Sequence, residues 1–281
     1  MAGITAAQVR ALREKTGLPM MECKSALTEA GGDEEAAIEL LQKRSKGKLE
    51  TKAHRETAEG RIGVFVNQDG KGGAMVEVRC ETPPVAKNEM FAELSNKIAQ
   101  QVAASSEDAP APEAILSAES VAEPGKTVNE LMEATYARIK ENMKLARCRR
   151  LTGENLASYV HFDGSIGVLV AMDKSPDDPQ VSKDLCMHIA FAKPLGISRE
   201  DVPAEEIEKV RRLAAEVARS EGKPDKIIDK IVDGKVAAFY KQKALMEQEH
   251  VKEAKTSVAK VLKAAGVDAV TGMLIMQVGV E

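Results

Sequence analysis

Apolar residues spaced three and four apart predict three short helices at the start of the chain. Val9 and Leu12 mark the first, Met20, Cys23, Leu27 and Ala30 the second, and Ala37, Ile38 and Leu41 the third. The punctuation agrees. Thr5 and Gln8 form a capping box, Thr16-Gly17 a stop, Pro19 a helix start, Gly31-Gly32 a break and Asp33 a cap followed by Glu34 and Glu35. A β pattern follows: Arg61–Val66 and Ala74–Val78 are strand-like runs joined by the turn 67–73. Phe91, Leu94, Ile98 and Val102 then mark a helix, so Glu77–Glu89, with Pro83 and Pro84, reads as a stiff loop between a strand and a helix. It is suited either to pressing on another surface or merely to turning the chain. Residues 105–123 read as a weakly structured connector with a helical turn near Ile115-Leu116. The stretch 127–151 reads as one helix bearing Leu131, Ala134, Ile139 and Met143, its end carrying Arg147, Arg149 and Arg150 near the negative pole of the dipole.

The order hairpin, proline loop, helix then recurs. Leu156–His161 and Ser165–Met172 are strands about a Phe162-Asp163-Gly164 turn, 173–179 is the loop, and 181–192 is a helix with Leu185, His188, Ile189 and Ala192 in register. This is an internal repeat of a β-β-α unit. Ile207, Val210, Ala214 and Val217, and after Gly222-Lys223-Pro224 the set Ile228, Val232, Val236 and Phe239, give two helices with one narrow apolar stripe each. They read as an antiparallel, coiled-coil-like hairpin, either a spacer or a docking arm. Val258, Leu262 and Ala265 mark a last helix, and 272–280 a strand able to complete the second sheet. The fold class is α+β with antiparallel sheets. The expected units are 1–53, 54–153, 154–203 with 254–281, and the hairpin insertion 204–253.

Composition narrows the chemistry. The 281 residues include 40 basic and 44 acidic side chains, closely interleaved for a net charge of −4, which argues against a duplex nucleic-acid binder. Lys43–Lys52 is basic and is read as a solvated linker, with contact to phosphate or an acidic partner as the alternative. The four cysteines, Cys23, Cys80, Cys148 and Cys186, form no C-x-x-C pair and read as buried free thiols of a reducing compartment. The start of the chain is not a signal peptide and no apolar run is long enough to span a bilayer, so the expectation is a cytoplasmic protein without a membrane partner. His54, His161, His188 and His250 are scattered. His188 reads as a satisfied core residue, and His161 either as a contact residue or as a hydrogen-bonded strand end. Gly70-Lys71-Gly72-Gly73 lacks phosphate-loop spacing, and no nucleophile elbow, H-E-x-x-H or dinucleotide loop appears, so no covalent enzyme, cofactor or metal site is expected.

The run Leu12–Gly17, then Met20–Ala30, Gly32-Asp33 and Ala36-Ala37-Ile38, closely resembles the N-terminal module of bacterial elongation factor Ts. Glu77–Thr82 followed by Val85-Ala86-Lys87-Asn88 is similar to that family's second signature. Ile166–Val170, His188-Ile189-Ala190, Lys193-Pro194 and Gly222-Lys223-Pro224 also fit, in order along nearly the whole chain. The resemblance implies a UBA-like three-helix module, a core of two related subdomains and a helical-hairpin insertion. It implies a guanine-nucleotide exchange factor that binds elongation factor Tu, both GDP-bound and nucleotide-free, with no direct nucleic-acid contact. Partner docking is then expected at Leu12, Arg13, Met20, Met21 and His161, and a loop at the partner's magnesium and phosphate site is expected at Thr82, Pro83, Pro84, Val85 and Ala86.

Two departures stand out. The family usually has Thr-Asp-Phe-Val-Ala in that loop, its Phe entering a pocket of the partner, and here Pro83 and Pro84 replace the Asp and the Phe. Gln248-Glu249-His250-Val251 stands where the family tends to have Gln-Pro-Phe-Val. The expectation is that Val85, braced by the two prolines, still displaces partner elements. The rival expectation is a divergent binder that holds elongation factor Tu with weak or no exchange.

Overall fold

The structure, a computed structural model, describes residues 4–52 and 55–280, with side chains described outside 45–52; His54 and the 53/54 boundary lie outside the described residues. The three N-terminal helices are α1 (Ala6–Thr16), α2 (Met20–Glu29) and α3 (Glu34–Lys52). The capping box is made: Gln8 N–H donates to Thr5 Oγ1 at 3.3 Å and Thr5 N–H to Gln8 Oε1 at 2.9 Å. Gly17 ends α1 at φ 69°. Val9, Leu12, Leu18, Cys23, Ala26, Leu27, Ala37 and Leu41 form a small closed core. Lys43–Lys52, expected as a linker, instead continues the backbone of α3, because Lys, Arg, Glu and Leu favour helix and the lone Gly47 costs only about 1 kcal/mol.

The first sheet contains β1 (Glu59–Val66), β2 (Gly72–Cys80) and, after α4 (Pro83–Ala86), α5 (Glu89–Ala103), α6 (Pro112–Ser117) and α7 (Val128–Ile139), the strand β3 (Met143–Thr152). The order is β1-β2-β3, antiparallel throughout. The single helix expected over 127–151 is thus a helix and a strand. Lys140, at φ 65°, stops α7. The period-2 pattern of β3 was hidden by a register shift at Glu77/Val78: Leu145 pairs with Val78 and Arg147 with Glu77, leaving Ala146 as an extra residue. Inward positions therefore fall at Met143, Leu145 and Cys148, and Met143 continues the helical spacing by accident. The connector 105–123 is also more ordered than expected. Arg150 N–H donates to Asp108 O at 2.7 Å and Val121 N–H to Gln101 Oε1 at 2.8 Å.

The second sheet contains β4 (Asn155–Val160) and β5 (Ile166–Met172) and, after α8 (Pro179–Ala192), α9 (Ala204–Ser220), α10 (Asp225–Lys243) and α11 (Val258–Ala264), the strand β6 (Val270–Gln277), in the order β4-β5-β6. The repeat is deeper than two strands and a helix. Glu119 bridges Thr127 before α7 and β3, and Glu249 bridges Ser257 before α11 and β6. Glu119 Oε1 accepts from Gly125 N–H at 2.9 Å, as Glu249 Oε1 does from Lys255 N–H at 2.6 Å. Lys255 even adopts φ 60° where its counterpart is Gly125 at 86°. Each unit is therefore β-β-α-loop-α-β, and the α9–α10 hairpin is inserted into the second.

One face of each sheet carries its own helices; the other faces meet. Ile62, Met75, Leu169 and Met276 fill that seam, with Val64, Leu151, Leu156 and Leu274 around them. Gly167 is required there, since a Cβ would stand 2.4 Å from Ile62 Cγ2 and 3.1 Å from Met75 Sδ. Glu77, wholly buried, lies on the seam face of β2. It accepts from Arg147 Nε at 2.6 Å, from Arg79 Nε at 2.8 Å and from Gly279 N–H at 2.9 Å, while Arg147 also reaches Gln277 O at 2.7 Å.

His188 is buried, as expected. Its Nδ1 accepts from Val251 N–H at 3.3 Å and its Nε2 bonds Gln248 Oε1 at 2.9 Å, while the ring stacks on His250 at 5.5 Å. Burial pulls both imidazoles below the ordinary 6.5.

Two outcomes follow from this packing. Glu77→Ala strands two arginines at the seam and should lower the unfolding free energy, read by urea titration, by about 3 kcal/mol. Because the unfolded chain protonates both histidines first, their contribution is complete above about pH 6.5 and is lost as pH falls through the lower folded-state values. His250→Phe, which keeps a ring but not the titration, should therefore lose less stability than the parent between about pH 7.5 and about pH 5.5.

Candidate partner-binding edge

The Pro83-Pro84 segment is not an irregular loop. It is one turn of helix, α4, entered from Thr82 in extended conformation. The two prolines occupy the first positions, where a helix needs no amide donors, and Ala86 N–H closes the turn onto Thr82 O at 3.2 Å. Glu141, from the α7–β3 turn, fixes the entry: its carboxylate accepts from Thr82 N–H at 3.1 Å and from Thr82 Oγ1 at 2.8 Å. Arg61 fixes the exit, donating to Ala86 O at 3.4 Å. Asn88 then caps α5 through Met90 N–H at 2.9 Å.

This geometry redistributes the expected contact residues. Pro83 and Pro84 are exposed. Val85 is half-buried and packs on the first core, and Ala86 is 5% exposed. The surface most openly offered to a visitor is the proline pair, while half-buried Val85 and buried Ala86 hold the turn to the body. Helical periodicity explains the difference, because it turns the third and fourth residues inward where a loop would have presented them.

Arg61 also links α4 to the β4–β5 turn. Its guanidinium lies against Gly164, where a Cβ would be 2.7 Å from Nη1, and Ile62 N–H donates to Gly164 O at 2.8 Å. In that turn His161 is half-buried, its Nδ1 3.0 Å from Tyr159 Oη, so it is both a bonded strand end and a partly open ring. Asp163 Oδ1 accepts from Ser165 N–H at 2.9 Å and Ser165 Oγ at 2.7 Å. Burial pushes the Asp163 carboxyl up, but the Ser165 bonds and nearby His161 outweigh it and leave it below its usual value. Phe162, between them, is 87% exposed. Sequence reasoning treated Phe162 only as part of a turn; an aromatic in a polar turn was the available signal.

The N-terminal module sits against the same body. Ala137 of α7 packs on its core, Arg138 Nε donates to Thr16 O at 3.0 Å, and Lys140 pairs with Glu22. Of the expected docking residues, Arg13 is exposed, Met20 is 43% exposed and Met21 72%. Leu12 is fully buried and is a core residue of the module, not a surface contact, since the inner side of α1 faces α2 and α3. Among the described residues there is no group of three or more His, Cys, Asp or Glu able to hold a metal ion, and no helix long and apolar enough to cross a membrane.

The family model described as Elongation factor TS matches residues 81–280. The chain is 45% identical over 267 residues to the elongation factor Ts of Aquifex aeolicus (strain VF5), covering 92% of each chain. It is 44% identical over 283 residues to that of Azoarcus sp. (strain BH72), covering 100% of this chain and 93% of the other. It is 41% identical over 273 residues to that of Kineococcus radiotolerans, covering 95% and 96%. The mixed α+β architecture and these matches define a translation elongation factor. The chain belongs to the elongation factor Ts family.

All four cysteines are buried, and burial pushes the Cys80 thiol beneath the α4 turn up to about 12. Iodoacetamide at about pH 8 should leave the native thiols unmodified and alkylate all of them after denaturation, read by mass spectrometry.

Proposed function

We propose that this protein binds elongation factor Tu in its GDP form and promotes GDP release, by displacing magnesium and remodelling the phosphate site in translation elongation. The proline-headed α4 turn carries the reading: the family's second signature runs through it, and it stands exposed while held at both ends by Glu141 and Arg61. The exposed Arg13, Met20 and Met21 supply docking on the same partner, and His161 a contact on the neighbouring turn. No bond is made or broken by the protein.

The energetics require a broad interface. An exchange factor must bind the empty GTPase more tightly than the GDP form, and by linkage it weakens GDP by the same factor. A shift of about 10⁴-fold takes about 5.5 kcal/mol. One buried apolar side chain supplies about 1.5–3 kcal/mol. The turn alone cannot carry the effect, and the anchoring module must share it. Rigidity helps, because a preformed turn loses little entropy on docking.

A second reading, a binder that stabilises elongation factor Tu with little exchange, is favoured by one observation. No large side chain projects from α4, since Val85 leans into the core and Ala86 is buried. Release of a fluorescent GDP analogue from elongation factor Tu separates the two. Exchange predicts faster release with the protein present, and tight binding without faster release supports the second reading. Pro83→Asp with Pro84→Phe should accelerate release further if α4 faces the nucleotide site; an unchanged rate places the turn elsewhere.

A further inference from the structure

We infer that Phe162, at the tip of the β4–β5 turn, is an affinity-determining contact that inserts its ring into an apolar cleft of the GTPase beside the site met by α4. The inference rests on the reading above and adds a residue to it. At 87% exposure Phe162 is the barest large apolar side chain among the described residues. Its position is not that of a loose loop. His161 N–H donates to Ile166 O at 2.9 Å, Gly164 N–H to His161 O at 2.8 Å and Ile62 N–H to Gly164 O at 2.8 Å, so the tip is tied within itself and to β1. Gly164 adopts φ 79°, which the tight reversal needs and a side chain would oppose. The ring rests on His161, centroids 4.6 Å apart and tilted by 56°, and His161 is steadied by Tyr159.

An aromatic ring held out on a fixed backbone pays water an apolar cost in the free protein and loses little freedom when buried by a partner. Aromatic anchors of this kind carry much of the binding energy at interfaces. What ties this one to the candidate edge is Arg61, whose Nη1 donates to Ala86 O at 3.4 Å and stands where a Cβ on Gly164 would be 2.7 Å away. Pro83, Pro84 and Phe162 are thus apolar groups on two tips clasped by one arginine. A partner seated on the proline turn meets the Phe162 tip as part of the same rigid edge.

The test is the affinity of full-length protein for nucleotide-free elongation factor Tu, by isothermal titration calorimetry, together with GDP release. Phe162→Ala should weaken binding by about 30-fold, the loss of one aromatic anchor, and Phe162→Leu should recover part of it. Thermal melting should change little in either, since the ring is 87% exposed and within its own protein rests on His161. Affinity of Phe162→Ala equal to that of the parent would overturn the inference even with exchange intact. If the parent binds without speeding GDP release, the exchange reading fails while the Phe162→Ala affinity still decides this one. A parent that does not bind overturns both.

Discussion

The structure depends on the face-to-face closure of two small sheets. Each three-stranded sheet packs its own helices on one face and would leave the apolar side chains of its other face in water, and each covers the other's. Ile62, Met75, Leu169 and Met276 supply the apolar fill, and the absent side chain of Gly167 sets the approach. Glu77 is the polar lock: a carboxylate with no exposure, satisfied by two arginines and by the amide of Gly279. Sliding the sheets past one another would strand its charges, which disfavours shifted arrangements.

That closure creates the candidate edge. α4 follows β2 of the first sheet and the Phe162 tip joins β4 to β5 of the second, so the two come from units about eighty residues apart. Only the seam brings them together, with Arg61 reaching to both. The N-terminal module is joined to the same body through α7, by Ala137, Arg138 and Lys140. Its exposed methionines, the proline turn and the aromatic tip are therefore surfaces of connected parts, which suits the proposed contact with a partner at several points.

Much of this was legible in the residues. The three N-terminal helices, both hairpins, α8, the α9–α10 hairpin and the last strand follow from periodicity and turn chemistry, and the repeat was visible in its order. β3 was not, because the extra residue at Ala146 broke the alternation and the Ile139–Met143 spacing imitated another helical turn. The helical form of Pro83–Ala86 was missed for a different reason: two prolines are equally compatible with a rigid loop and with the first turn of a helix, and the distinguishing feature, the Ala86 N–H bond to Thr82 O with Glu141 holding Thr82 at the entry, is made by backbone and tertiary contacts. The burial of Leu12 was written in the pattern that placed it on the inner side of α1. Phe162 could not be ranked from sequence, since its exposure depends on how the second unit meets the first.

The central claim is that a preformed edge, with α4 and the β4–β5 tip side by side, meets the GTP-binding domain of elongation factor Tu. Photo-crosslinking from a benzoylphenylalanine placed at position 84 or at position 162 tests it most directly, with the linked peptides of the partner read by mass spectrometry. The account predicts that both positions link to neighbouring segments of that domain, next to the nucleotide. Links to separate domains, or from neither position, would contradict it.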